Sequence, residues 1–177
     1  MKKIVLSTLM LTLLSTNSLA DNIIGGAIGY GAQEFELNNI TNEGDEFNFD
    51  LYYRYMINKN IGVEAGWQSA TGGIGSFIID QISEVKDAHY SGPRIASYFQ
   101  YPIFNETYAY AKLGVNKYKL DYLLNDISSN ESDLGFEGSI GFEKRFKPGI
   151  GLNLEYRLIN SSIIKANQFL IGFSYKF

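Results

Sequence analysis

The chain holds one histidine, His89, and a serine stands two residues on, at Ser91. In an extended strand, residues i and i+2 share a face. A base and a hydroxyl nucleophile would then stand side by side, the pair that acyl transfer needs. The motif continues into Gly92 and Pro93, lies mid-chain, and brings no acid that spacing alone identifies as an orienter of the imidazole. A rim histidine in a girdle of tyrosines is the favoured reading. With no cysteine, thiolate metal sites and disulfides are ruled out. Asp45-Glu46 and Asn130-Glu131-Ser132-Asp133 lack the ligand spacing of a calcium loop. Gly25-Gly26-Ala27-Ile28-Gly29 and Gly72-Gly73-Ile74-Gly75 open no helix, so neither fits a phosphate-binding fingerprint. No cofactor and no metal site is expected.

A second set of residues carries charge at alternating positions. Asp50, Glu64, Glu137, Glu143 and Glu155 stand against Arg54, Arg94, Lys112, Arg145 and Arg157, five against five. If these share an enclosed face they must pair, because unpaired buried charge is costly. Such a network is a structural plug or, through Arg157, Glu155 and Lys112, a switchable gate for small solutes.

The elements that would position these groups are strands. In Gln168 to Phe177 the odd positions Phe169, Ile171, Phe173, Tyr175 and Phe177 are apolar and most even ones are small or polar, with Leu170 the exception. Leu152, Leu154, Tyr156 and Leu158 alternate in the same way, as do Leu134, Phe136, Ile140, Phe142 and Phe146. Strands are read near 22–37, 45–58, 60–70, 88–101, 107–121, 134–146, 151–158 and 168–177. Short links at Asn58-Lys59-Asn60, Tyr101 to Glu106 and Lys147-Pro148-Gly149 alternate with longer ones at 38–44, 71–87, 122–132 and 159–166. Transmembrane barrels show that asymmetry. The inward-facing glycines Gly29, Gly62, Gly66, Gly141 and Gly172 would leave room for long arginines.

Export is read from the first residues. Lys2 and Lys3, the apolar stretch Ile4 to Leu14, and Ser18-Leu19-Ala20 compose a signal peptide of residues 1–20, with 21–177 as one barrel domain. Without Lys2 and Lys3 the formal net charge falls from −4 to −6, which disfavours nucleic acid as a partner. Aromatics make up 15 % of the chain, and Tyr53, Tyr55, Tyr101, Phe146 and Tyr175 fall at strand ends, where an interfacial girdle would sit. Alternation by itself does not say which face meets lipid.

Phe169-Leu170-Ile171-Gly172-Phe173-Ser174-Tyr175-Lys176-Phe177 resembles the carboxy-terminal assembly signal of outer-membrane barrels, with Phe173, Tyr175 and Phe177 as its aromatic positions. Gly151-Leu152-Asn153-Leu154-Glu155-Tyr156-Arg157 and Tyr110-Ala111-Lys112-Leu113-Gly114 are similar to strands of the outer membrane protein A transmembrane domain and its opacity-type relatives. The resemblance implies an all-β fold, an eight-stranded antiparallel up-and-down transmembrane barrel in the outer membrane of a Gram-negative bacterium. It implies outer-membrane lipid, lipopolysaccharide and the barrel-assembly machinery as partners, and a possible host or envelope ligand at loops 71–87 and 122–132. The chain stops at Phe177, so the family's peptidoglycan-binding domain and its wall tether are not carried over. His89-x-Ser91 also resembles the His-x-Ser-Asn element of outer-membrane lipid A deacylases, with Gly92 in place of the Asn. The reading is a non-enzymatic barrel for envelope integrity or surface interaction; the alternatives are a narrow channel gated by the lumen pairs and a lipid-modifying hydrolase.

Overall fold

A computed structural model describes residues 21–37, 40–73, 85–124 and 127–177. The expected signal peptide and most of the 71–87 segment lie outside them. Alternating side chains build eight strands: β1 (Asn22–Leu37), β2 (Ile40–Met56), β3 (Ile61–Gly72), β4 (Val85–Phe104), β5 (Thr107–Leu124), β6 (Ile127–Arg145), β7 (Ile150–Asn160) and β8 (Ile164–Lys176). Each pairs antiparallel with the next, and β8 returns to β1 from Ile23–Lys176 to Phe35–Ile164, so the sheet closes and no edge is left open.

The three short turns share one end with the chain's Asp21 and Phe177. Asn58 Oδ1 accepts hydrogen bonds from the amides of Asn60 (2.8 Å) and Ile61 (2.9 Å), an Asx turn. Asn105 and Glu106, both at positive φ (36° and 60°), form a two-residue hairpin loop of the primed type, whose twist matches its strands. Glutamate is poorly suited to that backbone. Glu106→Gly is therefore expected to stabilise the barrel by about 1 kcal/mol, read from the urea midpoint in lipid vesicles. Gly149, at φ 104°, closes the third turn.

The strands run further at the opposite end than alternation suggested. The segments 38–44, 122–132 and 159–166, expected as loops, are largely strand: β1 and β2 pair up to Leu37–Ile40, and β5 and β6 pair up to Leu124–Ile127. The reason lies in the phase of the pattern. Along the lower part of β5, Ala109, Ala111, Leu113 and Val115 point out and Lys112 and Asn116 point in; from residue 117 on, Lys117, Lys119 and Asp121 point out and Tyr118, Leu120 and Tyr122 point in. β8 reverses likewise, with Lys165 and Asn167 outside and Ile164 and Ala166 inside. In β8 the reversed stretch reads as a loop before the strand, whereas in β5 the expected strand 107–121 already runs past the reversal and falls short only beyond Asp121.

The reversal divides the barrel into two zones. In the lower zone the outer wall is apolar and exposed, with Ile28, Leu51, Ile95, Leu113, Ile140, Leu154 and Ile171 among its members. Above it the outer wall is polar and the inside is apolar, as in a soluble barrel.

Candidate functional site

The interior of the lower zone is charged. Arg94, from β4, binds Asp50 Oδ2 at 2.6 Å, Glu64 Oε1 at 2.8 Å and Glu137 Oε1 at 3.4 Å. Lys112, from β5, links Glu64 (2.7 Å) to Glu155 (2.8 Å), and Arg157, from β7, links Glu155 (2.9 Å) to Asp50 (2.8 Å). Arg54, from β2, joins Glu64 (2.7 Å) to Glu143 (2.9 Å), which also holds Arg145 at 2.7 Å. All ten of the lumen residues expected from the sequence lie in one continuous chain of ion pairs. Gly66 makes this possible at its centre: a Cβ there would lie 3.1 Å from Nε of Arg94, so the glycine gives the guanidinium its space.

Apolar layers close the network on both sides. Toward the short turns Ile23, Met56, Tyr98 and Tyr110 pack together, with the Arg54 guanidinium stacked 3.6 Å from the centre of the Tyr98 ring. Toward the other end Phe35, Ala70, Tyr90, Tyr118, Leu120, Tyr122, Ile159, Ile164 and Ala166 fill the bore. Tyrosine hydroxyls join layers to network: Tyr118 donates to Gln68 (3.1 Å) and Glu137 (3.3 Å), and Tyr110 donates to Glu155 (2.9 Å).

Sequence reasoning missed several members. Glu46, weighed only beside Asp45 as a calcium ligand, is fully buried and accepts hydrogen bonds from Tyr90 (2.9 Å) and Gln168 (2.6 Å). Gln68 bridges Gln168 (3.0 Å) and Arg157 (2.7 Å). Glu46, inside the expected strand 45–58, and Gln68, an uncharged side chain, fall on the same parity as Asp50 and Glu64, which is the signal that places both in the bore. Leu170, the exception in the last strand, points inward beside Gly29.

His89 and Ser91 both face outward on β4, above the apolar zone. The structure supplies an acid that spacing had not identified: Asp121, directly opposite on β5, with Oδ2 3.8 Å from His89 Nε2. That carboxylate is held more closely by Lys119, at 2.6 Å. His89 and Ser91 are two strand positions apart, about 6.6 Å between their Cα atoms, beyond a direct proton relay without rearrangement. His89→Ala is expected to leave the acylation pattern of co-purified outer-membrane lipid unchanged, as read by mass spectrometry.

Phe173 and Tyr175 of β8, and Phe177 just beyond it, are exposed on the outside, at the end that holds the short turns. Around the upper outer wall, Glu34, Glu36, Glu43 and Asp45 make the β1–β2 side acidic; Lys165 pairs with Glu34 (3.1 Å) and Glu36 (3.6 Å), and Tyr30 donates to Asp45.

Comparison with known proteins agrees with this architecture. No curated protein matches the sequence at a significant level. Among solved structures, Neisserial surface protein A superposes with a TM-score of 0.70 at 12% identity, covering 90% of this chain and 100% of that one. The attachment invasion locus protein Ail of Yersinia pestis gives 0.60 at 18% identity, covering 91% and 100%, and OprG of Pseudomonas aeruginosa gives 0.60 at 17%, covering 91% and 97%. A family model described as the outer membrane protein beta-barrel domain matches residues 6–177. With its closed eight-stranded ring, apolar outer wall and charged bore, the chain belongs to the outer membrane protein beta-barrel family, whose place is the bacterial outer membrane.

Proposed function

We propose that this protein is a non-conducting surface barrel whose upper strands carry an interaction surface outward from the membrane. The observation that carries the reading is the filled bore: an ion-paired layer lies between two apolar layers, and eight strands enclose little more than their own side chains. The paired upper strands support it further, because they form a rigid platform on which a binding surface can be held. The short turns lie on the periplasmic side and the long hairpins outside, as in barrels of this kind. Export with cleavage after Ala20 belongs to the same reading.

The nature of the partner follows from charge. Ail, a fold relative, has been crystallised in complex with the heparin analogue sucrose octasulfate. Here the β1–β2 wall carries Glu34, Glu36, Glu43 and Asp45, which repel polyanions. On that side a basic ligand, on a host or envelope molecule, is the better match.

The test is single-channel recording in planar bilayers. The barrel is expected to show no conductance steps, and Arg157→Ala and Glu155→Ala are expected to stay silent because the apolar layers remain. Steps that appear or change size with either substitution would favour the gated-channel reading instead.

A further inference from the structure

Among the described residues, Glu46 is the one enclosed carboxylate that the chain of ion pairs leaves out. Asp50, Glu64, Glu137, Glu143 and Glu155 each hold at least one of the cations Arg54, Arg94, Lys112, Arg145 and Arg157. Glu46, with none of its surface exposed, makes a sixth acid against those five bases. Its oxygens meet neutral partners, the Tyr90 hydroxyl of β4 and the Gln168 amide of β8. Gln33 on β1, Asn48 on β2, Ala70 on β3 and Tyr118 on β5, buried around this position, are neutral as well. The charges beneath it, Asp50 of β2, Arg94 of β4, Glu137 of β6 and Arg157 of β7, are already paired. Tyr90 lies between the outward-facing His89 and Ser91, so Glu46 sits above the apolar, membrane-spanning wall.

An ionised carboxylate shut away from both water and cations is costly, and binding a proton removes that cost. An acceptor for the proton stands ready. Asn48, beside Glu46 on the same face of β2, has its Oδ1 buried and without a donor. We propose that Glu46 is a proton-binding site that makes the upper barrel respond to pH: protonated, it donates to Asn48 and ties β2, β4 and β8 together; ionised, it loosens them. Burial lifts the Glu46 carboxyl to about 7, and the hydrogen bonds from Gln168 and Tyr90 limit the rise. In the unfolded chain the same group releases its proton at about pH 4.3. Between those values the folded barrel holds one proton more than the unfolded chain. The stabilisation from this group is therefore complete below about pH 4.3, falls as the pH rises to about 7, and is gone beyond.

The experiment is urea unfolding of the barrel in lipid vesicles at a series of pH values from 5 to 8, for the wild type and Glu46→Gln. The glutamine amide can donate to Asn48 as the protonated acid does, but it does not titrate. Both proteins carry His89→Ala, which removes the one side chain whose ordinary titration falls in this range. The unfolding equilibrium constant of the Glu46 protein is expected to rise roughly fiftyfold from pH 5 to pH 8, and that of Glu46→Gln by less than about threefold. A flat profile for the Glu46 protein, which decides the matter even if Glu46→Gln does not fold, or an equal slope in the two proteins, would overturn the proposal. The proton site rests on the same dry bore as the proposed function, so conductance is recorded on the same samples. A flat profile in an electrically silent barrel overturns the proton site alone, whereas conductance steps overturn the filled bore with it.

Discussion

Arg94→Met is expected to lower the stability of the barrel by about 3–5 kcal/mol, measured by urea unfolding in lipid vesicles. Arg94 is the cation shared by Asp50, Glu64 and Glu137, all buried. Its loss affects them unequally. Asp50 keeps Arg157, and Glu64 keeps Arg54 and Lys112, whereas Glu137 is left with the neutral donors Tyr118 and Asn116. Adding Glu137→Gln to Arg94→Met should therefore recover more than 1 kcal/mol, because it removes the charge that has lost its cation. A cost below about 1 kcal/mol for the single change would mean that water reaches these carboxylates, and the filled bore would have to be abandoned.

A charge placed on the outer wall tests where the membrane ends. Leu154 points outward midway along β7 between Leu152 and Tyr156, so Leu154→Arg sets a guanidinium near the bilayer centre and is expected to cost about 2–4 kcal/mol. Ser132→Arg on β6 is also outward but lies above Leu134, at which the apolar outer face of that strand gives way to polar residues, and should change stability by no more than about 0.5 kcal/mol. Leu120→Arg, at nearly the height of Ser132 but inside the upper apolar layer, should be the most damaging of the three, since nothing there pairs with it. Equal tolerance of Leu154→Arg and Ser132→Arg would contradict the two-zone wall.

The expectation of eight strands was legible because the lower zone keeps strict alternation and the turn residues Asn58, Asn105 and Pro148-Gly149 punctuate it. The upper strands were not, because their phase reverses. Ile164 and Ala166 belong to the inside although Phe169 and Ile171 on the same strand belong to the outside, and a reader following one greasy face starts β8 only at 168, whereas the expected strand 107–121 already crosses the reversal in β5. The lumen residues were recognisable as a set from their parity, but their partners were not. Arg157 and Asp50 are separated by 107 positions, and Gln168 and Glu46 by 122, separations over which sequence gives no distance. The acid opposite His89 escaped for the same reason: only the β4–β5 register makes Asp121 its neighbour.

By itself the sequence determined which side chains share a face, where the chain turns, and that the faces differ in polarity, because those are properties of consecutive residues in an extended backbone with period two. Which face meets lipid and which meets the bore was decided only by closure of the sheet. Exchanging inside for outside leaves the alternation unchanged, and only once β1 joins β8 does one face become an enclosed space in which Arg54, Arg94, Lys112 and Arg157 must find carboxylates.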